Sequence, residues 1–235
     1  KIENLLIKNF DAIIIAETSY VEHYGNKTTE ILNYPILPKI LDQEKKFEHP
    51  LKFVYVGGIT ENRRIWELLD IFRIINTNLP NSNLKLVGPF APENLEDEVR
   101  EKIISLGLIN NVEILGRKSL PDVYQILSES HFGFSFLKPI GNYYESLSTK
   151  IFDYMILGLP FAVSNFPVYK KYVVEVKTGI VVNDENINET ANQIIELVKD
   201  KNKLLEMSNN GKTQTKNYWN WYIEEKKILN IYRSL

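Results

Sequence analysis

One stretch, Gly141-Asn142-Tyr143-Tyr144-Glu145-Ser146-Leu147-Ser148-Thr149-Lys150-Ile151-Phe152-Asp153-Tyr154-Met155, gathers hydroxyls, two carboxylates and a lysine where a polar loop enters a helix. Unpaired backbone N–H groups at a helix start, aided by the helix dipole, favour an anion. Lys150 stands in the first turn, where a cation meets the positive end of the dipole and costs an exposed helix about 0.3 kcal/mol. A bound phosphate would make sense of that choice; the alternative is an ordinary exposed lysine. Glu145 precedes the helix and Asp153 lies within it, so the two cannot share a helical face and would flank a cavity mouth instead. A carboxylate accepts two hydrogen bonds from a vicinal diol, which a ribose or a hexose offers. The alternative is a loop glutamate and a solvated aspartate.

The rest of the chain must position that stretch. Short apolar runs alternate with amphipathic ones. Strands are expected at Ala12–Ala16 and Thr29–Leu32. Pro35, Pro38 and the charged stretch Asp42–Glu48 then read as a linker, with a boundary near residue 40. Beyond it come strands at 52–56, 84–87, 112–115, 132–137, 161–163 and 180–182, separated by helices at 61–78, 92–106, 121–129, 149–157 and 167–173 and followed by three more to the end. Ile65, Leu68, Leu69, Phe72 and Ile75 fall on one face of the 61–78 helix. Ser119 and Ser148 are cap candidates, and Gly107 and Gly158 are terminators. Short apolar strands between helices imply an α/β fold, a parallel sheet covered on both faces and doubly wound in the Rossmann manner. In such sheets ligands bind beyond the carboxyl ends of the strands. Those ends carry Gly57-Gly58, Gly88-Pro89, Leu137-Lys138 and Ser164-Asn165.

Composition narrows the classes. The chain has 235 residues, 44% hydrophobic and 25% charged, with a formal net charge of -2 and no cysteine. Disulfides and thiolate metal sites are excluded, and the lack of cysteine fits a reducing cytoplasm. No basic run suggests nucleic acid, and no apolar run is long enough for a membrane span. The chain opens on Lys, which reads as a fragment. Gly211-Lys212-Thr213 lacks the partner glycine of a phosphate-binding loop, and no Gly-x-Gly-x-x-Gly follows the first strand. Asp-x-Asp is absent, and His23, His49 and His131 have no metal-ligand spacing. Trp219, Trp221 and Tyr222 read as anchors of the last helix.

The stretch around Lys150 resembles glycosyltransferase family 4, in particular the C-terminal domain of its GT-B members. Glu145, seven residues, Asp153, then Gly158-Leu159-Pro160 and a strand follow the family order. Lys150-Ile151-Phe152-Asp153-Tyr154-Met155 looks like the family's Lys-Leu-Phe-Glu-Tyr-Met. Tyr55-Val56-Gly57-Gly58-Ile59 with Arg63, Leu84–Gly88, Val112–Gly116 and Gly179 before Ile180–Val182 extend the likeness from about residue 50 to the end. Residues 1–40 are similar to the end of the family's N-terminal, acceptor-binding domain and its hinge, and 41–235 to the donor-binding domain.

The resemblance implies a retaining glycosyltransferase, of which this chain is the half that binds the donor, a UDP-, GDP- or ADP-sugar, and is alone inactive. Arg63 matches the cation that neutralises the donor pyrophosphate, with Lys150 a second candidate, and Gly57 and Gly58 let the backbone come close. Glu145 would contact the transferred sugar near the reacting carbon, and Asp153 would hold the ribose diol. Backbone amides at Leu147, Ser148 and Thr149 would reach a phosphate. The chain departs from the family at two points. Many members carry Arg where Gly58 stands, leaving that cation missing or replaced by Arg64, and the second acid is Asp, one methylene shorter than Glu. No metal or other cofactor is expected. Family analogy adds a polysaccharide- or lipid-linked acceptor at the inner membrane surface. A non-catalytic nucleotide-sugar-binding subunit and a GT-B sugar-nucleotide epimerase remain as alternatives.

Overall fold

The computed structural model describes residues 7–38 and 45–234. The expected boundary near residue 40 and the start of the charged linker lie outside the described residues. Before it, β1 (Ile13–Ile15) and β2 (Thr28–Glu30) pair in parallel across the short helix α1 (Val21–Tyr24). This two-stranded piece is a sheet of its own.

The remaining strands are β3 (Lys52–Val56), β4 (Asn83–Val87), β5 (Val112–Gly116), β6 (Phe132–Ser135), β7 (Phe161–Ser164) and β8 (Ile180–Val182). They form one parallel sheet in the order β5-β4-β3-β6-β7-β8. The chain winds outward from β3 in one direction, returns, and winds outward from β6 in the other. β3 and β6 are therefore the switch point of a doubly wound sheet, where the crossovers leave the crevice above the strand ends uncovered.

Helices α2 (Ile65–Asn78), α3 (Leu95–Ser105) and α6 (Ile187–Lys199) cover one face. Leu69, Phe72, Val99 and Ile194 meet Phe53, Tyr55, Leu84 and Phe134 there. Helices α4 (Leu120–Glu129) and α5 (Lys150–Ile156) cover the other, where Leu127, Ile151 and Met155 pack with Val54, Phe161 and Val163. Phe53 and Tyr55 thus face one layer and Val54 the other, the period of two that a strand imposes. Burying an aromatic or aliphatic side chain completely contributes about 1.5–3 kcal/mol, which explains why β3, β6 and β7 are apolar on both sides.

The helices α7 (Lys201–Asn217) and α8 (Trp221–Ser234) close the chain. Gly211-Lys212-Thr213 lies in the middle of α7, with no strand before it. Trp219 packs edge-on against Phe152 at 5.9 Å and against Tyr172 at 5.0 Å, as an anchor would. The amide of Leu32 donates to Glu224 Oε2 at 3.0 Å, and Lys227 pairs with Glu224 at 2.8 Å, so α8 reaches back to the first segment. His131 is structural: its Nδ1 accepts from the Lys52 amide at 3.1 Å, and burial lowers its pKa to about 4.

Helices differ from expectation at their starts: α3 begins at Leu95 and not at 92, and the helix expected over 167–173 is a π-helical turn at Lys170–Val174. The helix expected over 61–78 is a 3-10 turn, Glu61–Arg63, followed by a left-handed residue, Arg64 (φ 54°), before α2 begins. Thr60 caps the turn by accepting from the Arg63 amide at 3.2 Å. Ser148 does not cap α5. The residue at that place is Thr149, which makes no side-chain cap bond, and Ser148 accepts from Ser135 Oγ at 3.1 Å instead.

Candidate functional site

Above the carboxyl ends of β3 and β6 lies a cavity of about 370 Å³ lined by Gly57, Arg63, Leu137, Tyr143, Ser146, Leu147, Ser148, Thr149, Lys150 and Asp153, among others. It sits at the switch point, where the topology alone places a ligand. Each wall has a local cause. Gly57 turns the chain at φ +124°, and a Cβ there would stand 3.1 Å from Lys150 Nζ and 3.2 Å from Arg63 Nη1. Only glycine suits both the backbone angle and the space. Gly88 closes over the same turn, since a Cβ on it would meet the Gly57 carbonyl oxygen at 2.0 Å.

Arg63 is aimed by the capped turn. Its Nη1 donates to the Gly58 carbonyl at 3.2 Å, an acceptor it shares with the Tyr55 hydroxyl at 2.8 Å. Gly58 therefore steadies the guanidinium with its carbonyl. Lys150 reaches the same spot from α5. Its Nζ is buried 4.1 Å above the centre of the Tyr55 ring and has no hydrogen-bond partner among the described residues. Burial and then the Arg63 charge push its pKa well below the usual lysine range. The possibility of an ordinary exposed lysine is thereby removed. Two basic side chains converge with no acidic partner between them among the described residues, and an unpaired buried donor is costly unless a ligand satisfies it.

Asp153 lines the cavity one helical turn beyond Lys150, and the two are not paired. Its Oδ1 accepts from the Tyr124 hydroxyl at 2.9 Å. Burial raises its pKa to about 6, against the Tyr124 bond that pulls it down. Among the described residues, the amides of Leu147, Ser148 and Thr149 donate to no backbone carbonyl. The strand ends are wedged apart by Tyr154, whose hydroxyl donates to the Phe134 carbonyl on β6 at 3.0 Å and accepts from the Val56 amide on β3 at 3.3 Å.

Glu145 lies elsewhere. It is exposed at the rim of an adjoining cavity of about 220 Å³ between the loop and the first segment, where Glu17, Asn33, Tyr34 and Tyr172 also stand. The two cavities share Ser146, Leu147 and Thr149. Ser146 Oγ donates to Glu17 Oε1 at 2.6 Å across the second one. The two carboxylates therefore border neighbouring hollows joined through one loop.

Arg64 is a correction. It does not line the cavity and cannot stand in for the cation missing at Gly58. Its guanidinium is buried and bound to Glu67 at 2.8 Å, Asp184 at 2.9 Å and Glu185 at 2.7 Å. Tyr55, Tyr124, Tyr143 and Tyr154 were not singled out in the sequence. No spacing distinguishes a tyrosine whose hydroxyl meets a site.

The arrangement suits an anion with hydroxyls attached: basic side chains, loop amides and a carboxylate acceptor line one cavity. Among the described residues, no group of three His, Cys, Asp or Glu could hold a metal ion.

The chain is 28% identical over 152 residues to an uncharacterized glycosyltransferase, MJ1059, of Methanocaldococcus jannaschii, covering 60% of this chain and 35% of that protein. The fold superposes on Anabaena Alr3699/HepE, solved with UDP and glucose, with a TM-score of 0.79 at 17% identity, over 99% of this chain and 65% of that one. It also superposes on the pneumococcal O-GlcNAc transferase GtfA, solved with UDP and GlcNAc, with a TM-score of 0.74 at 15% identity, over 96% of this chain and 46% of that one. The chain thus spans less than two thirds of the length of each of these relatives. The family model for glycosyl transferases group 1 matches residues 38–214, and the chain belongs to that family.

Proposed function

We propose that the chain is the donor half of a retaining glycosyltransferase and binds a nucleoside diphosphate sugar in the cavity above β3 and β6. The observation that carries this reading is the pair Arg63 and Lys150, two basic side chains brought together with no ion pair to an acid among the described residues, in one cavity with Asp153, which accepts a hydrogen bond on one oxygen alone. A diphosphate fits the first and a ribose diol the second. UDP is the diphosphate to test first, since HepE and GtfA were both crystallised with it.

In this reading the sugar extends past the loop toward Glu145, whose carboxylate meets its hydroxyls near the reacting carbon. Charge grows on the diphosphate as its bond to the sugar breaks. Cations fixed in a water-poor cleft stabilise that growing charge more than they stabilise the intact donor, which is what speeds the reaction. Gly57 and the amides of Leu147, Ser148 and Thr149 bring backbone close to the same phosphates. The two-stranded piece at the start is the end of an acceptor-binding domain, and the acceptor is a glycan- or lipid-linked hydroxyl. The enzyme works on the cytoplasmic side of the membrane. No helix among the described residues is long and apolar enough to cross one.

Titration calorimetry of the chain with UDP, GDP and ADP tests the reading. Binding of one of them with a 1:1 stoichiometry is expected, and absence of heat with all three would overturn it.

A further inference from the structure

Asp153 is held in an unusual way for an acid that would have to meet a diol. It is on a short arm, and it is half-buried in the wall of the cavity. Among the described residues Tyr124 is the one group that donates to it, at 2.9 Å and to Oδ1 alone. The carboxylate has acceptor positions on both oxygens, so one oxygen is anchored and the other is left for a ligand.

Tyr124 is itself placed with care. It lies on α4, whose start is fixed by Ser119 accepting from the Asp122 amide. Its ring is buried in the cluster that holds Leu127, Val54 and Tyr154, so the hydroxyl approaches Asp153 from a rigid wall. Burial, followed by the Asp153 charge and hydrogen bond, raises its pKa further above the ordinary tyrosine value. The group stays a donor throughout the working range. Tyr124 contributes no atom to the lining of the cavity; it reaches the site through Asp153.

We propose that Tyr124 is a positioning residue that fixes the Asp153 carboxylate toward the cavity, and that this pair selects a nucleotide with both ribose hydroxyls over its 2′-deoxy form. The proposal rests on the nucleotide reading above. Geometry supplies the reason. A diol gives two O–H donors that converge on a carboxylate, and a 2′-deoxy sugar gives one. A carboxylate free to rotate could follow either, whereas an anchored one presents a single fixed arrangement that rewards only the pair. A glutamate at this position would have one more methylene of reach, whereas the shorter Asp153 depends on being held.

The test compares UDP with 2′-deoxy-UDP by calorimetry on the full chain. The wild-type protein should prefer UDP by about tenfold or more, in line with one hydrogen bond to a charged group. Tyr124→Phe keeps the ring and should shrink that preference several-fold, while the affinity for 2′-deoxy-UDP and for inorganic pyrophosphate stays within about twofold. Asp153→Ala should bring the preference to near unity. Adding Asp153→Glu to Tyr124→Phe should restore it, because the longer arm no longer needs the anchor. A preference unchanged in Tyr124→Phe but lost in Asp153→Ala overturns the role of Tyr124 and leaves the nucleotide reading standing. So does a preference lost in Tyr124→Phe and not regained in the double variant. A preference unchanged in Asp153→Ala overturns the ribose contact, and with it both readings of this acid.

Discussion

Arg63 and Arg64 are neighbours in the chain and have opposite surroundings. Arg64 is buried among Glu67, Asp184 and Glu185. Burial acts to lower its pKa, and the bonds to Glu185, Asp184 and Glu67 more than reverse it. Through them α2 is tied to the loop after β8. Arg63, one residue earlier, meets a backbone carbonyl and stands beside a second basic side chain, Lys150, and it makes no ion pair with a carboxylate among the described residues. The left-handed step at Arg64 separates the two. A non-glycine residue there costs about 1–2 kcal/mol, and the three-carboxylate cluster offsets it. One arginine is satisfied by the protein, and the other has been left for something the protein does not contain. Unsatisfied charge in a fold this well packed marks a place where stability has been given up for a ligand.

That contrast can be broken in several ways. The largest effect is expected from Arg64→Met. Removing one partner of a buried ion pair strands the others and should cost about 3 kcal/mol, seen as a lower midpoint in urea unfolding, while pyrophosphate affinity changes less than twofold. Loss of pyrophosphate binding at unchanged stability would reverse the roles of the two arginines. Next come Arg63→Ala and Lys150→Met. Each should weaken UDP binding by about 10- to 100-fold, the loss of one or more charged hydrogen bonds at about 1.5–3 kcal/mol, and uridine binding far less. Equal losses for both ligands in calorimetry would remove the phosphate role.

Acidity sharpens the comparison further. Burial places the Asp153 pKa at about 6, and a protonated acid loses the charge that strengthens its hydrogen bonds from two hydroxyls while one of its oxygens becomes a donor. UDP affinity should therefore fall as pH drops through 6, by at most about tenfold per pH unit, and Asp153→Asn should flatten the profile. A smaller effect is predicted for the empty protein. The folded pKa of Lys150 is lowered, so the unfolded chain binds its proton more tightly, and the resulting loss of stability lasts until pH rises through the ordinary lysine range. Lys150→Met should thus raise the melting temperature near neutral pH, and the gain should vanish above about pH 10.4. Smallest of all, EDTA should leave UDP affinity unchanged.

Much of the frame was legible in the sequence. β3 and β8 have the bounds that apolarity and the flanking turns imply, and α6 runs as expected from Asn186, whose side chain caps it by accepting from the Glu189 amide. Ser119 and Gly158 act as cap and terminator because capping chemistry is local. The break before α2 was not legible. Periodicity carries straight through Arg63 and Arg64, and the left-handed residue that interrupts it answers to carboxylates more than a hundred residues away. Lys150 shows the same limit, since its spacing suits either an exposed or a buried side chain.

By itself the sequence determined the alternation of strand and helix, the glycine turns at the strand ends and the family's ordered acids, all of which depend on neighbours a few residues apart. The tertiary structure decided which cation is free and which is bound, that Glu145 and Asp153 border separate hollows, and that Tyr124 holds the acid. Those outcomes turn on where charges from distant segments end up in a space of low dielectric. There a single carboxylate within 3 Å outweighs any propensity of the residue that meets it.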